Sequence, residues 1–445
     1  MSRKLSKSHF NIRGFYQNSL NNFKYQDLLQ INSPWFWQKH NNVNASGIAL
    51  NWKRPGQKRI LEANIFGVQR QMNLPSPMGG LSELLSSQFD QQVRASFRSL
   101  GKMKEIGRSR VAIFNWSLGS TLESQLYSAP TELSKINTQS NVLTGIYVNK
   151  GELVQAQTAV TYQNDFIEYA NWDSKLFLNT VQLNQQLSLL KKNNLLLISI
   201  IPQWRNTNHK GLSTELQWSN RRSDLQHEIT IFHRERFPDS NELFWQPGGN
   251  VNLKKEASSG VIWAEEFNFQ SLNFHSYFKS GIIQNWIQWV PGTLGYWNPK
   301  NVKQVVFAQW RAVLKKSWSN VVVQCYGEPA LSLGKNLKEQ DWFQTTYSPL
   351  WRAGIVAQYK GNTWNAQLEF QTNGKRYTDE ENTEVYALPA YGLLNSEVSK
   401  EVVWKGQSML CLIRVENITN KQYSFIRAYA MPGRVLSFQI NYHIK

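Results

Sequence analysis

The run Arg434-Val435-Leu436-Ser437-Phe438-Gln439-Ile440-Asn441-Tyr442-His443-Ile444-Lys445 decides the fold. Leu436, Phe438, Ile440, Tyr442 and Ile444 share one parity, and Ser437, Gln439, Asn441, His443 and Lys445 share the other. A period of two puts the apolar set on one face of a strand and the polar set on the opposite face. The run is longer than the about 5–6 residues usual in soluble proteins and suits the roughly 9–11 tilted residues that cross a bilayer.

The same alternation recurs upstream. Val154, Ala156, Thr158, Val160 and Tyr162 interleave with Gln155, Gln157, Thr161 and Gln163, and Trp364, Ala366, Leu368 and Phe370 with Asn365, Gln367, Glu369 and Gln371. Glu and Gln in mid-strand are costly in a dry core and comfortable in a wet or protein-filled lumen. Short polar turns are expected at Gln17 to Asn22, Arg54-Pro55-Gly56, Gly101 to Arg110, Lys150-Gly151, Lys191 to Asn194, Ser219 to Asp224, Lys254 to Ser259, Lys315 to Ser319, Lys360-Gly361-Asn362 and Lys405-Gly406. Longer loops are expected at Pro75 to Leu84, Ala129 to Ser140, Pro291 to Asn301, Gly327 to Thr346 and Asn373 to Leu388. Short periplasmic turns facing long extracellular loops are the asymmetry of an outer-membrane barrel. The fold class expected is therefore all-β, a transmembrane antiparallel barrel of about 21–22 strands, with one strand missing before His9.

Composition narrows the function. The net charge of +18 is scattered over turns and polar strand faces, so lipid headgroups and solvent are its expected partners, not nucleic acid. The longest apolar run, Leu195 to Ile201, is far short of the roughly 20 residues of a membrane helix. Cys325 and Cys411 make no framework of bridges. Residues 1-7 carry charge without an apolar signal-peptide core and are expected to be a disordered basic N-terminus ahead of a barrel spanning 8-445. No histidine has metal-ligand spacing, and neither a nucleophile elbow nor a phosphate loop is present. No catalytic residue, metal ligand or cofactor is expected, and the chain is not read as an enzyme. Asp379-Glu380-Glu381 reads as a solvated loop tip in preference to a calcium site.

Two spaced motifs, Val415-Glu416-Asn417-Ile418-Thr419-Asn420-Lys421-Gln422-Tyr423 and Tyr429-Ala430-Met431-Pro432-Gly433-Arg434, resemble the end of TonB-dependent outer-membrane receptors. The resemblance implies structural roles for Asn417, Asn420, Tyr423, Met431, Pro432, Gly433 and Arg434. Tyr16 to Tyr25 looks like an early stretch of such barrels, and Asn285 to Pro291 followed by Tyr296 to Lys303 is similar to receptors of the cobalamin type. From that last likeness Trp289, Tyr296 and Trp297 are candidates for ligand contact, with an interfacial aromatic belt as the plainer reading.

The likeness covers the barrel part alone, without plug or TonB box. It implies energised uptake of a scarce ligand, such as a corrinoid or metal chelate, in the outer membrane of a Gram-negative bacterium, although no signal peptide is present. The expected partners are outer-membrane lipid, TonB, a small-molecule ligand and a separately encoded plug segment, in a truncated or split receptor. The alternatives are a plugless porin-like diffusion channel, with Gly327 to Thr346 as its constriction loop, and a secreted β-rich binding protein whose aromatics hold carbohydrate.

Overall fold

A computed structural model describes every residue except 1, 6–7, 28, 31, 79–84, 108–109, 131, 170–174, 208, 246–247, 292–296, 336–340, 405–406 and 443–445. The strands are β1 (Ser2–Leu5), β2 (Ser8–Ser19), β3 (Phe23–Gln26), β4 (Trp35–Gln38), β5 (Val43–Pro55), β6 (Arg59–Leu74), β7 (Ser86–Gly101), β8 (Lys104–Gly107) and β9 (Arg110–Ala129). They continue as β10 (Glu132–Lys150), β11 (Val154–Tyr169), β12 (Leu176–Lys191), β13 (Asn194–Arg205), β14 (His209–Arg221), β15 (Leu225–Arg236), β16 (Glu256–Phe269) and β17 (Leu272–Pro291). The last are β18 (Trp297–Trp318), β19 (Val321–Lys335), β20 (Trp342–Gln344), β21 (Trp351–Lys360), β22 (Trp364–Asn373), β23 (Tyr391–Trp404), β24 (Gln407–Glu416) and β25 (Val435–Tyr442).

All but the β3–β4 hairpin belong to one 23-stranded antiparallel sheet in which each long strand pairs with the next. β8 prolongs β7 along β9, and β20 prolongs β21 along β19, so neither adds a stave. The described residues therefore make 21 staves of a barrel wall, within the about 21–22 expected, although β1 is one of them and the chain from Ser8 onward supplies 20 where 21 were expected. Ser2–Leu5, inside the stretch expected to be disordered, pair in register with Ser8–Asn11 of β2.

The two faces separate as the period-two pattern requires. On β25, Leu436, Phe438 and Ile440 are 72%, 63% and 52% exposed on the outside. Ile198, Leu216 and Ile231 continue that apolar exterior on β13, β14 and β15. Such a surface is unfavourable in water by about 25 cal/mol per Å² and at home in lipid. The inner face carries paired charge instead: Arg234 reaches Glu215 at 2.7 Å, and Lys53 reaches Glu62 at 3.0 Å. The buried Glu328 carboxylate lies 2.7 Å from Arg311 and 3.6 Å from Arg352. These pairs keep inward charge locally neutral where the wall leaves it least hydrated.

One inward feature depends on glycine. Gly260 of β16 faces Gly281 of β17 across the ladder. The Phe232 ring lies over the first and the Phe307 ring over the second. Lys279 stands above both rings, 5.7 Å and 5.1 Å from their centroids. Two missing side chains thus let two aromatic rings lie flat on the sheet and present their faces to a cation.

The turns correct several expectations. Gln17 to Asn22 and Lys254 to Ser259 are not short-end turns: the first falls at the end of β2 and the start of the long β2–β5 connection, and the second where β16 begins. The tight turn in that part of the chain is Gln270-Ser271, with Gln270 in the left-handed region at φ 50°. Ala129 to Ser140 is not a long loop, because β10 already begins at Glu132. Its polar side chains pair across the ladder, where Ser124 donates to Asn137 at 2.7 Å, so polarity there does not mark a loop. Trp297 to Asn301 lie in β18 and Gly327 to Lys335 in β19, leaving shorter loops than the sequence suggests.

A candidate ligand vestibule at the long-loop end

The long-loop rim is laced together. Gln344 N–H donates to Asn382 Oδ1 at 2.6 Å, and Asn382 Nδ2 returns a bond to Gln344 O at 2.9 Å. Tyr347 N–H donates to Tyr377 O at 2.7 Å, Arg376 Nη2 to Ser424 O at 3.0 Å, and Met78 N–H to Ala428 O at 2.6 Å. The loops after β19, β22 and β24 are thereby held as one rim, and Met78 brings in the loop after β6. A rim ordered before binding avoids part of the entropy of ordering it afterwards.

The closing motif explains its own asparagines. Asn417 and Asn420 both take left-handed backbone, at φ 51° and 54°, which asparagine tolerates better than most residues. The buried Asn417 amide accepts from Lys421 N–H and donates to Lys421 O, each at 2.9 Å. Its backbone N–H donates to Asn395 Oδ1 at 2.9 Å. Asn420 Oδ1 accepts from Arg434 N–H at 2.9 Å, and Arg434 Nε donates to Ile418 O at 2.8 Å. A Cβ on Gly433 would collide with Asn420 Oδ1. Met431 N–H donates to Tyr423 O at 3.2 Å, while Asn417 Nδ2 also reaches Pro432 O at 3.4 Å. The Tyr423 ring stacks on Tyr391 at 4.9 Å. The motif is a clasp that closes the last loop onto the start of β25.

Burial raises the Tyr347 and Tyr423 phenols above their ordinary value of 10.0, with the Arg427 side opposing the rise at Tyr347. A folded value above the unfolded one means the stabilisation is complete below about pH 10 and is lost as pH climbs through the folded values. Ultraviolet titration of the folded protein should show a late tyrosinate limb that Tyr347→Phe and Tyr423→Phe each diminish, other buried tyrosines such as Tyr391 keeping the remainder. A limb unchanged by both substitutions would contradict the burial argument.

Inside the rim lies a cavity of about 530 Å³. Trp286, Gln288, Trp289, Trp297 and Lys300 line it from β17 and β18, and Asp379, Glu380 and Glu381 line it from the loop after β22. The strand reaches the cavity through a change of face. Asn285 takes left-handed backbone at φ 53°. Ile283 before it and Trp286 after it then pack in the same cluster with Val302, Val305 and Phe343, which strict alternation would forbid. Ile287 turns away and packs with Leu243 and Leu253 of the β15–β16 loop. That loop is pinned by the short helix α1 (Ser240–Phe244), whose Glu242 takes Arg236 through two bonds of 2.9 Å.

Trp289 and Trp297, named from sequence, therefore meet on the cavity wall, with Trp245 edge-on to Trp289 at 5.9 Å. Tyr296 lies outside the described residues. The acidic run is more than a solvated tip: Glu381 is exposed, but all three residues line the cavity, and Lys300 Nζ meets Glu380 Oε1 at 2.7 Å. Asp379 Oδ1 accepts from Thr383 N–H at 2.8 Å. Gln288 donates to Thr346 Oγ1 at 2.6 Å. Sequence reasoning missed Gln288, although its position one residue before Trp289 in the same strand is a usable signal. Among the described residues no three His, Cys, Asp or Glu side chains are grouped to hold a metal ion.

No family model matches the sequence, and no curated protein matches it either. Solved structures do. The copper transporter OprC aligns over 97% of this chain and 76% of its own, with TM-score 0.78 and 11% identity. The FrpB iron transporter from Neisseria meningitidis, in its F3-3 variant, aligns over 99% and 78%, with TM-score 0.80 and 7% identity. The siderophore receptor PirA from Acinetobacter baumannii aligns over 98% and 75%, with TM-score 0.75 and 10% identity. At such identities the likeness is one of fold, the β-barrel that these transporter and receptor structures share.

Proposed function

We propose that this chain is the barrel of a TonB-dependent outer-membrane receptor, which takes in a scarce ligand through the long-loop vestibule for energised uptake. The observation that carries the reading is an apolar, outward-facing exterior combined in one molecule with a preformed aromatic and acidic cavity at the long-loop end. The fold is shared with proteins described as carriers of copper and iron or as a siderophore receptor, which supports a corrinoid, a metal chelate or a similar nutrient as cargo. Trp289 and Trp297 are proposed as contacts of that ligand. A barrel of this size leaves a wide lumen. A plug segment, on the same polypeptide or another, and TonB would complete the machine.

The passive-channel reading is weaker, because Gly327 to Lys335 form strand β19 and leave little chain to fold inward as a constriction. A secreted binding protein would have to keep the exposed leucines and phenylalanines of the exterior in water. Reconstitution tests the proposal. The refolded chain should float with liposomes, migrate faster unheated than boiled on a denaturing gel, and conduct in planar bilayers until plug protein is supplied. A chain that stays soluble without detergent and leaves liposomes unmodified would overturn it.

A further inference from the structure

The vestibule also carries information about its ligand, on the premise that it is the receptor's ligand site. Its lining opposes the rest of the protein in sign: the chain has a net charge of +18, yet among the described lining residues three acidic side chains stand against the single ammonium of Lys300. That ammonium is already engaged by Glu380. Among the described lining residues, the buried polar atoms left over are acceptors. Gln288, only 8% exposed, spends its amide N–H on Thr346 and leaves Oε1 without a partner. Asp379 Oδ2 is buried without one as well. A buried acceptor left empty is unfavourable, so both atoms favour a ligand that brings donors. The indoles of Trp286, Trp289 and Trp297 supply the third component. An indole attracts a cation through its electron-rich face and offers nothing of the kind to an anion.

From these three observations we infer that the vestibule selects an organic cation, an ammonium or guanidinium group borne on a compact apolar or flat body, with Asp379 and Glu381 as counter-charges. A carboxylate or catecholate presented here would meet like charge from Asp379 and Glu381, with Lys300 already engaged by Glu380. A bare metal ion would find two carboxylates at most beyond the Lys300–Glu380 pair.

Calorimetry on the full chain refolded in detergent tests the inference, with benzyltrimethylammonium, benzylguanidinium, benzyl alcohol, benzoate and calcium chloride as probes. Saturable binding of the two cations, at least about tenfold tighter than benzyl alcohol and with no heat from benzoate, is the expected result. The Asp379→Asn/Glu381→Gln variant should weaken both cations about tenfold, and Trp297→Leu should weaken them while leaving the heat-modifiable gel shift intact. Benzoate binding as tightly as the cations, cation affinity unmoved by the double substitution, or calcium displacing the cations at lower concentration would each overturn it. The receptor reading fails separately. A chain that binds the cations but never enters liposomes keeps the ligand class and loses the receptor, and one that inserts but ignores the cations does the reverse.

Discussion

Gly281→Val should stop the barrel from assembling. Gly281 and Gly260 face each other across β16 and β17, and a Cβ on Gly281 would sit 2.9 Å from Gly260 Cα and 3.0 Å from the Phe307 ring while colliding with Ser259 O. Two of these three obstacles are backbone held in a ladder, so relief requires moving a strand. Overpacking of a yielding core costs about 1–3 kcal/mol, and a backbone obstacle yields less. Displacing the Phe307 ring would also uncouple it from Lys279. The check is the fraction of fast-migrating, unheated band after refolding, which should fall to near nothing. Gly327→Ala is the control, because no atom lies within 4 Å of the added carbon. If both variants refold equally well, the close approach of β16 and β17 is not what the pair of glycines is for.

The second large effect is expected at Asn417. Its side chain satisfies both the N–H and the C=O of Lys421, and its backbone is left-handed. Asn417→Ala removes the bonds and keeps a Cβ in a conformation alanine disfavours, for a loss of about 2–4 kcal/mol. Asn417→Gly removes the bonds but relieves the backbone, and Asn417→Asp retains the acceptor for Lys421 N–H. Urea midpoints of the refolded chain should rank wild type, Asp, Gly and Ala in falling order. An alanine variant as stable as the glycine variant would mean that the left-handed backbone contributes nothing.

Much of this molecule was legible in its sequence because the wall obeys one rule. Wherever lipid lies on one side and water on the other, parity alone assigns the face, as at Leu436, Phe438 and Ile440 against Gln439 and Asn441. The closing motif was equally legible, since the Asn417 clasp needs those residue types at that spacing. What misled was the equation of polarity with loop. Glu132 to Ser140 are strand, because a polar run can be strand when its side chains pair across the ladder, as Asn137 does with Ser124. Gln270-Ser271 lacks the glycine or proline that usually marks a turn and relies on left-handed glutamine backbone. The acidic run at 379–381 was visible, but its meeting with Trp289 and Trp297 depends on β17, β18 and a loop some eighty residues later in the chain. No local pattern encodes that meeting.

The left-handed Asn285 has a consequence for anyone building chimaeras. Up to Ile283 the strand reads as wall, and beyond Asn285 its alternate residues are handed to the vestibule. A graft joined above Asn285 could carry a foreign specificity on an undisturbed scaffold. A junction that omits this one dihedral would rotate Trp286, Gln288 and their neighbours onto the bilayer side, and the transplanted mouth would arrive inside out.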